Sequence, residues 1–215
     1  MKLYINPLST YSQKAMIACN EAGVDVDLEV VNLMDAAAKK AYREMYPIGK
    51  VPCLVLDDGH MIPESTIIIE YLNQEHGARL IPADPTQARQ TRFRDRMLDN
   101  YLTDAIGTLF FQSMRPEDQR DQERVDQANF HSSTMYKYLE GDLAGKTWLM
   151  GDEFSMADCA AFPGLFYAPM LAPFAGNANI EAYWERLSSR PSVTKVIDQA
   201  RPALEAFQKA QGQAA

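Results

Sequence analysis

Apolar and polar residues alternate over 2–5, with Leu3 and Ile5 on one side and Lys2 and Tyr4 on the other, the period of a half-buried strand. The spacing then switches to threes and fours. From about Ser12, residues Ala15, Met16 and Cys19 line one side of a helix, with Gly23 as its stop. A strand over 27–31 and a short helix over 35–42 follow. Next come an apolar strand over 53–56, a turn at Asp57, Asp58 and Gly59, a second strand over 60–62 and a helix over 64–74. This order begins as a βαβ unit, for which a right-handed crossover and parallel pairing are the default. The hairpin then adds antiparallel strands to the same sheet.

After Gly77 the pattern changes. Residues 78–86 read as a linker, and from 87 to 215 no strand period persists. Phe93, Met97 and Tyr101, with Leu98, Leu102, Ile106 and Leu109, recur at three and four residues as the apolar face of one long helix. The charged run 115–124 predicts another helix, with Pro116 at its front and a solvated face. Ser155 and Asp158 have the spacing of a capping box at a further helix start, a structural feature rather than a catalytic one. From 159 to 180 no residue is charged, which raises the question of a membrane span. Pro163, Pro169 and Pro173, with Gly164 and Gly176, instead predict a buried core helix with an irregular exit. The expected fold class is α/β plus all-α: an α/β domain over 1–77 and an all-helical domain over 87–215.

Length and composition leave this picture intact. With 215 residues and 47% hydrophobic content the chain can build a sizeable core. A net charge of −8 disfavours nucleic acid and anionic membrane as partners and leaves a small molecule or another protein. Cys19, Cys53 and Cys159 are odd in number and widely spaced, as reduced thiols of a cytoplasmic protein would be, and no CxxC occurs. The first residues lack an apolar run of signal-peptide length, so export is not expected. His60, His76 and His131 are scattered, and no metal site is expected.

One stretch is out of the ordinary. Pro52 stands at the mouth of the apolar strand, where proline removes a ladder donor, and Pro63, Glu64 and Ser65 follow directly after the hairpin. Val51-Pro52 before the hairpin, Glu64-Ser65 after it and the sequence Ser155-Met156-Ala157-Asp158 in the helical part, in this order and spacing, resemble the cytosolic glutathione transferase family. The resemblance spans nearly the whole chain, and the sequence Arg190-Pro191-Ser192-Val193 adds a weak further match. It implies a thioredoxin-like βαβαββα domain followed by an all-helical one, a homodimer formed around residues 60–105, and glutathione as co-substrate. In such a protein Pro52 is cis. The Val51 backbone then turns outward to pair with the cysteinyl part of glutathione, Ser65 donates to the γ-glutamyl carboxylate at a helix N-terminus, and Glu64 helps hold the amine.

The resemblance also locates the chemistry. Glutathione thiol titrates near 8.5, only the thiolate attacks electrophiles, and lowering the pKa by two units takes about 2.7 kcal/mol. In the turn after the first strand, Ser9 stands five residues before Lys14, a placement similar to the serine of the Phi class and related bacterial enzymes. Thr10 and Ser12 are alternatives, and each of the three could also serve as a helix N-cap. Tyr4 lies inside the strand and reads as packing. Cys19 falls on the inner face of the helix and Cys53 reads as a small strand residue, so chemistry through a protein cysteine is not expected.

One departure concerns the glycyl end of glutathione. The His-Lys pair of some Phi enzymes falls near Ala37 and Ala38, leaving Lys39, Lys40 or Lys50 as substitutes, with Lys50 best placed beside Val51. Phe110, Phe111, Met114, Phe166, Tyr167 and Met170 are candidates to line an interdomain site for a hydrophobic electrophile. The implied activity is attack of glutathione thiolate on that electrophile. Glutathione-dependent disulfide or peroxide reduction, and a non-catalytic dimerising module, remain open alternatives.

Overall fold

A computed structural model describes residues 1–213. In β1 (Lys2–Ile5) the alternation buries Leu3 and Ile5 on one face and turns Tyr4 to the other. α1 (Thr10–Ala22) returns the chain to β2 (Asp27–Val30), parallel to β1 with Lys2 opposite Asp27 and Ile5 opposite Val30. α2 (Ala36–Met45) precedes β3 (Cys53–Val55), antiparallel to β1, and β4 (Met61–Pro63), antiparallel to β3. The sheet order is β2-β1-β3-β4, and α3 (Ser65–Glu75) completes a thioredoxin-like unit. The element order is the one the sequence predicts.

The sheet separates two cores. Leu3, Ile5, Leu54 and Ile62 join α1 and α3 in a large core that continues into the helices. On the other side Val31, Tyr42, Tyr46, Val51 and Cys53 form a small core under α2. Tyr4 packs against this second core, its ring 5.6 Å from that of Tyr42.

α4 (Pro85–Met97), a π-helical segment (Leu98–Thr103) and α5 (Asp104–Ser113) form one continuous rod, followed by α6 (Gln122–Asp142), α7 (Met156–Leu171), α8 (Ala178–Ser189) and α9 (Pro191–Gln213). Residues 159–171 of the uncharged stretch read from the sequence form most of α7, which is largely buried. At Gly164 a Cβ would stand 2.7 Å from Leu102 Cγ, so only glycine admits this approach of α7 to the rod. Among the described residues no helix is long and apolar enough to cross a membrane. The start of α7 is held by Asp158, whose carboxylate accepts from the Ser155 NH (2.9 Å) and hydroxyl (2.9 Å), the Leu149 NH (3.0 Å) and the Tyr183 hydroxyl (2.8 Å).

Two expectations are corrected. Of the apolar face expected along this rod, Met97, Leu98, Leu102, Ile106 and Leu109 are buried, but Phe93 and Tyr101 are about half exposed, at 51% and 49%, and the buried face takes in Thr91, Asp95 and Asp99 instead. Asp95 and Asp99 are accommodated inside because both pair with buried Lys14. Residues 115–124 do not start one helix. A 3₁₀ turn (Glu117–Gln119) precedes α6, whose start is fixed by the Asp121 carboxylate accepting from the Arg124 NH at 3.2 Å. Within residues 78–86, Leu80 and Ile81 are buried, the Leu80 carbonyl accepts from the Met156 NH at 2.8 Å, and α4 begins at Pro85.

Candidate functional site

The register of the sheet gathers the candidate residues at one end. Tyr4 faces Cys53 and Cys53 faces Pro63. One residue further along, Pro52 comes beside Ile5 and Glu64 beside Pro52, so the loop after β1, the loop before β3 and the start of α3 share one edge.

Asn6 organises the first loop. Its side chain accepts from the Leu8 NH at 3.0 Å and donates to the Val31 carbonyl at 3.1 Å, while its own carbonyl accepts from the Ser9 NH at 2.9 Å. Ser9 is the N-cap of α1, and its oxygen accepts from the Ser12 NH at 3.3 Å. Its own hydroxyl proton has no acceptor among the described residues. Ser9 and Thr10 are partly exposed. Ser12 is fully buried, its oxygen accepting from the Asn6 NH at 3.3 Å, so its hydroxyl faces the protein interior. The first NH groups of α1 lack intrahelical acceptors and open on the same edge.

The Val51–Pro52 peptide bond is cis, and both residues are buried. Glu64 is exposed with φ 71°, a left-handed value uncommon outside glycine, and Ser65, buried, opens α3. Lys50 is exposed, and its carbonyl accepts from the Tyr42 hydroxyl at 2.9 Å. Lys39 and Lys40 lie on α2. Sequence reasoning missed Arg43, which lies across the same loop: a Cβ at Gly49 (φ 65°) would meet Arg43 Cγ at 2.7 Å and Nε at 2.8 Å. The signal was Gly49 itself, whose conformation leaves room for an overlying side chain.

Behind the edge lies a buried ionic cluster. Lys14 Nζ stands 2.6 Å from Asp95 and 2.8 Å from Asp99, both buried, and donates to Thr66 Oγ1 at 3.0 Å. Thr66 in turn donates to Asp95 at 2.8 Å, so α1 and α3 are tied to one another and to the long rod. Burial pushes the Asp99 carboxyl up to about 6, with Lys14 opposing and Asp95 adding to the rise. Tyr11 donates to Asp104 at 2.8 Å, and burial followed by that bond raises its phenol well above the ordinary range.

The six apolar candidates divide. Phe110 is half-buried and central: its ring lies 5.6 Å from Phe111, 5.9 Å from Tyr167 and 4.9 Å from Phe207. Phe111 is 64% exposed, and Met170 is exposed too. Met114, half-buried, caps α5. Phe166 stacks on Phe162, itself stacked on Trp184, and so packs toward α8. Tyr167 is only 3% exposed and its hydroxyl donates to the Leu8 carbonyl at 2.9 Å, which gives it a structural contact instead of an open face. Phe207 was not anticipated, because the period of the C-terminal segment does not show that α9 reaches Phe110.

Cys19, Cys53 and Cys159 are free and buried. Burial raises the Cys19 thiol to about 12 and the Cys53 thiol to about 11, so neither is a thiolate at neutral pH. Among the described residues no group of three or more His, Cys, Asp or Glu could hold a metal ion.

Comparison with known proteins agrees with this geometry. The glutathione S-transferase N-terminal domain family matches residues 3–80 and the corresponding C-terminal domain family residues 102–191. Glutathione S-transferase 3 of Zea mays is 29% identical over 210 residues, covering 92% of this chain and 93% of that protein. The GstA glutathione S-transferase of Escherichia coli O157:H7 is 27% identical over 200 residues, covering 92% and 97%. A glutathione S-transferase from Methylobacillus flagellatus KT, solved with glutathione bound, superposes with a TM-score of 0.83 at 26% identity, covering 91% of this chain and 98% of that one. With both halves matched in order and the sheet edge, cis bond and helix starts in place, the chain belongs to the glutathione S-transferase family.

Proposed function

We propose that this protein joins glutathione to an apolar electrophile, with the Ser9 hydroxyl stabilising the glutathione thiolate. The observation that carries the reading is the state of Ser9: its oxygen accepts from the Ser12 NH at the N-terminus of α1, and its hydroxyl proton has no acceptor among the described residues. A hydrogen bond to a charged acceptor is worth about 1.5–3 kcal/mol. A helix N-terminus adds about 0.3–1 kcal/mol. Together they match the roughly 2.7 kcal/mol that a two-unit fall in thiol pKa requires. Thr10, adjacent and partly exposed, is the alternative donor.

The rest of glutathione fits the same edge. The Val51 backbone pairs with the cysteinyl unit, and the α3 N-terminus with Ser65 takes the γ-glutamyl carboxylate, Glu64 holding the amine. Arg43, or Lys50, takes the glycyl carboxylate. Phe110, Phe111 and Met114, with Phe207, offer the electrophile an apolar wall. Residues 1–77 thus bind glutathione and 87–215 supply the second site. Exposed Ile67, Phe93 and Tyr101 support a homodimer through α3, α4 and the π-helical segment, which light scattering would check. Turnover of an aryl halide compared with a mixed disulfide of glutathione tests the chemistry. Conjugation as the faster reaction supports the proposal; reduction alone would replace it with a glutathione-dependent reductase.

A further inference from the structure

Two consecutive carbonyls of the loop before Ser9 are held by side chains. The Gln13 amide donates to the Pro7 carbonyl at 3.0 Å, and the Tyr167 hydroxyl, from α7, donates to the Leu8 carbonyl at 2.9 Å. The same Gln13 nitrogen donates to the Tyr167 oxygen at 3.1 Å, closing the two contacts into one unit across the seam between the sheet domain and the helices. Gln13 is fully buried and Tyr167 nearly so, and the bond between them lies in a low-dielectric setting, while the two bonds to the carbonyls are partly buried.

We propose that Tyr167 and Gln13 are positioning residues for the Ser9 hydroxyl, acting by clamping the Pro7 and Leu8 carbonyls into the domain seam. This rests on the reading of Ser9 as the group that stabilises the thiolate. Two things follow from the clamp. First, a carbonyl oxygen beside the sulfur would oppose the thiolate, and the clamp turns both of these oxygens away from the open edge. Second, Leu8 is bonded directly to Ser9, so fixing its carbonyl fixes the peptide plane that sets the Ser9 Cα, and with it where the hydroxyl stands. The Ser9 side chain itself makes one long hydrogen bond, at 3.3 Å, while its backbone NH donates to the Asn6 carbonyl at 2.9 Å and its carbonyl accepts from the Gln13 NH at 3.0 Å, so the clamp acts together with these two bonds. The helical domain therefore contributes to thiol activation as well as to the apolar site, and Tyr167 does so without touching glutathione.

Tyr167→Phe removes one oxygen and keeps the ring against Phe110 and Phe166. The test is a cycle of wild type, Ser9→Ala, Tyr167→Phe and the double variant, reading kcat, KM for glutathione and the pH at which kcat/KM reaches half its plateau. Gln13→Met serves as a second way to open the clamp should Tyr167→Phe fold poorly. The expected result is that Tyr167→Phe lowers kcat about tenfold and moves the pH midpoint upward, with KM for glutathione nearly unchanged, as a small misplacement of a reacting group does. In the Ser9→Ala background the same substitution has no further effect. An equal loss in both backgrounds, or an unchanged pH midpoint in Tyr167→Phe and Gln13→Met, overturns the inference. If Ser9→Ala itself leaves kcat and the pH midpoint unchanged, the underlying reading of Ser9 fails instead, and the two failures are distinguishable.

Discussion

Replacing Lys14 by Met, a side chain of similar length, tests the cluster that joins the two domains. Lys14 is fully buried and lies 2.6 Å and 2.8 Å from carboxylates that are themselves buried. The substitution leaves Asp95 and Asp99 facing each other, with the guanidinium of Arg96, 3.5 Å from Asp99 and 58% exposed, as the nearest remaining cation. Breaking a buried pair by removing one partner costs about 3–5 kcal/mol. The Thr66 hydroxyl keeps Asp95 as its acceptor, so the lower half of that range is expected at pH 7.5.

The pH dependence gives the sharper check. Asp99 has its folded pKa raised to about 6, chiefly by burial, so in the folded state it holds a proton more tightly than in the unfolded chain. Its ionised form therefore opposes folding at neutral pH, and stability is recovered as pH falls through about 6 toward its unfolded value. Without Lys14 that recovery is larger, since the main group lowering the Asp99 carboxyl is gone. Urea unfolding of wild type and Lys14→Met at pH 7.5 and 5.5 should show a loss that is smaller at the lower pH. A loss below about 1 kcal/mol at pH 7.5, or one equal at both pH values, would refute the assignment of Lys14 as the counter-ion of a strained acidic pair.

Other outcomes are as specific. Asp158→Ala strands the Leu149 and Ser155 NH groups and the Tyr183 hydroxyl at about 1–3 kcal/mol each, so unfolding experiments should find a loss of at least about 3 kcal/mol. Glu64→Gly relieves a left-handed backbone that costs about 1–3 kcal/mol, and should raise the midpoint of thermal unfolding while weakening glutathione binding in calorimetry. Arg43→Ala should weaken glutathione several-fold but leave γ-glutamylcysteine, which lacks the glycyl carboxylate, unchanged in the same titration.

Much of this was legible in the residues, for identifiable reasons. Alternation in Leu3 and Ile5, the αL stop at Gly23 and the turn at Gly59 are local signals, and local signals define a strand, a helix end and a hairpin. Pro52 was conspicuous because a proline at a strand mouth breaks a local rule. What stayed hidden depends on distance in sequence. Lys14 meets Asp95 and Asp99 across some eighty residues, which puts two acids on a buried face that the apolar period alone does not show. Arg43 over Gly49, Phe207 against Phe110 and the Tyr167 hydroxyl on the Leu8 carbonyl likewise arise only when helices pack. Tyr167 illustrates the limit most clearly: composition marked it as an apolar wall, and packing made its oxygen the more informative atom.

The most direct test of the account is a titration of wild type and Ser9→Ala with glutathione at neutral pH, following the ultraviolet absorbance of the thiolate. The account predicts that both proteins bind glutathione and that only wild type ionises the bound thiol. Equal ionisation in the two proteins would contradict it.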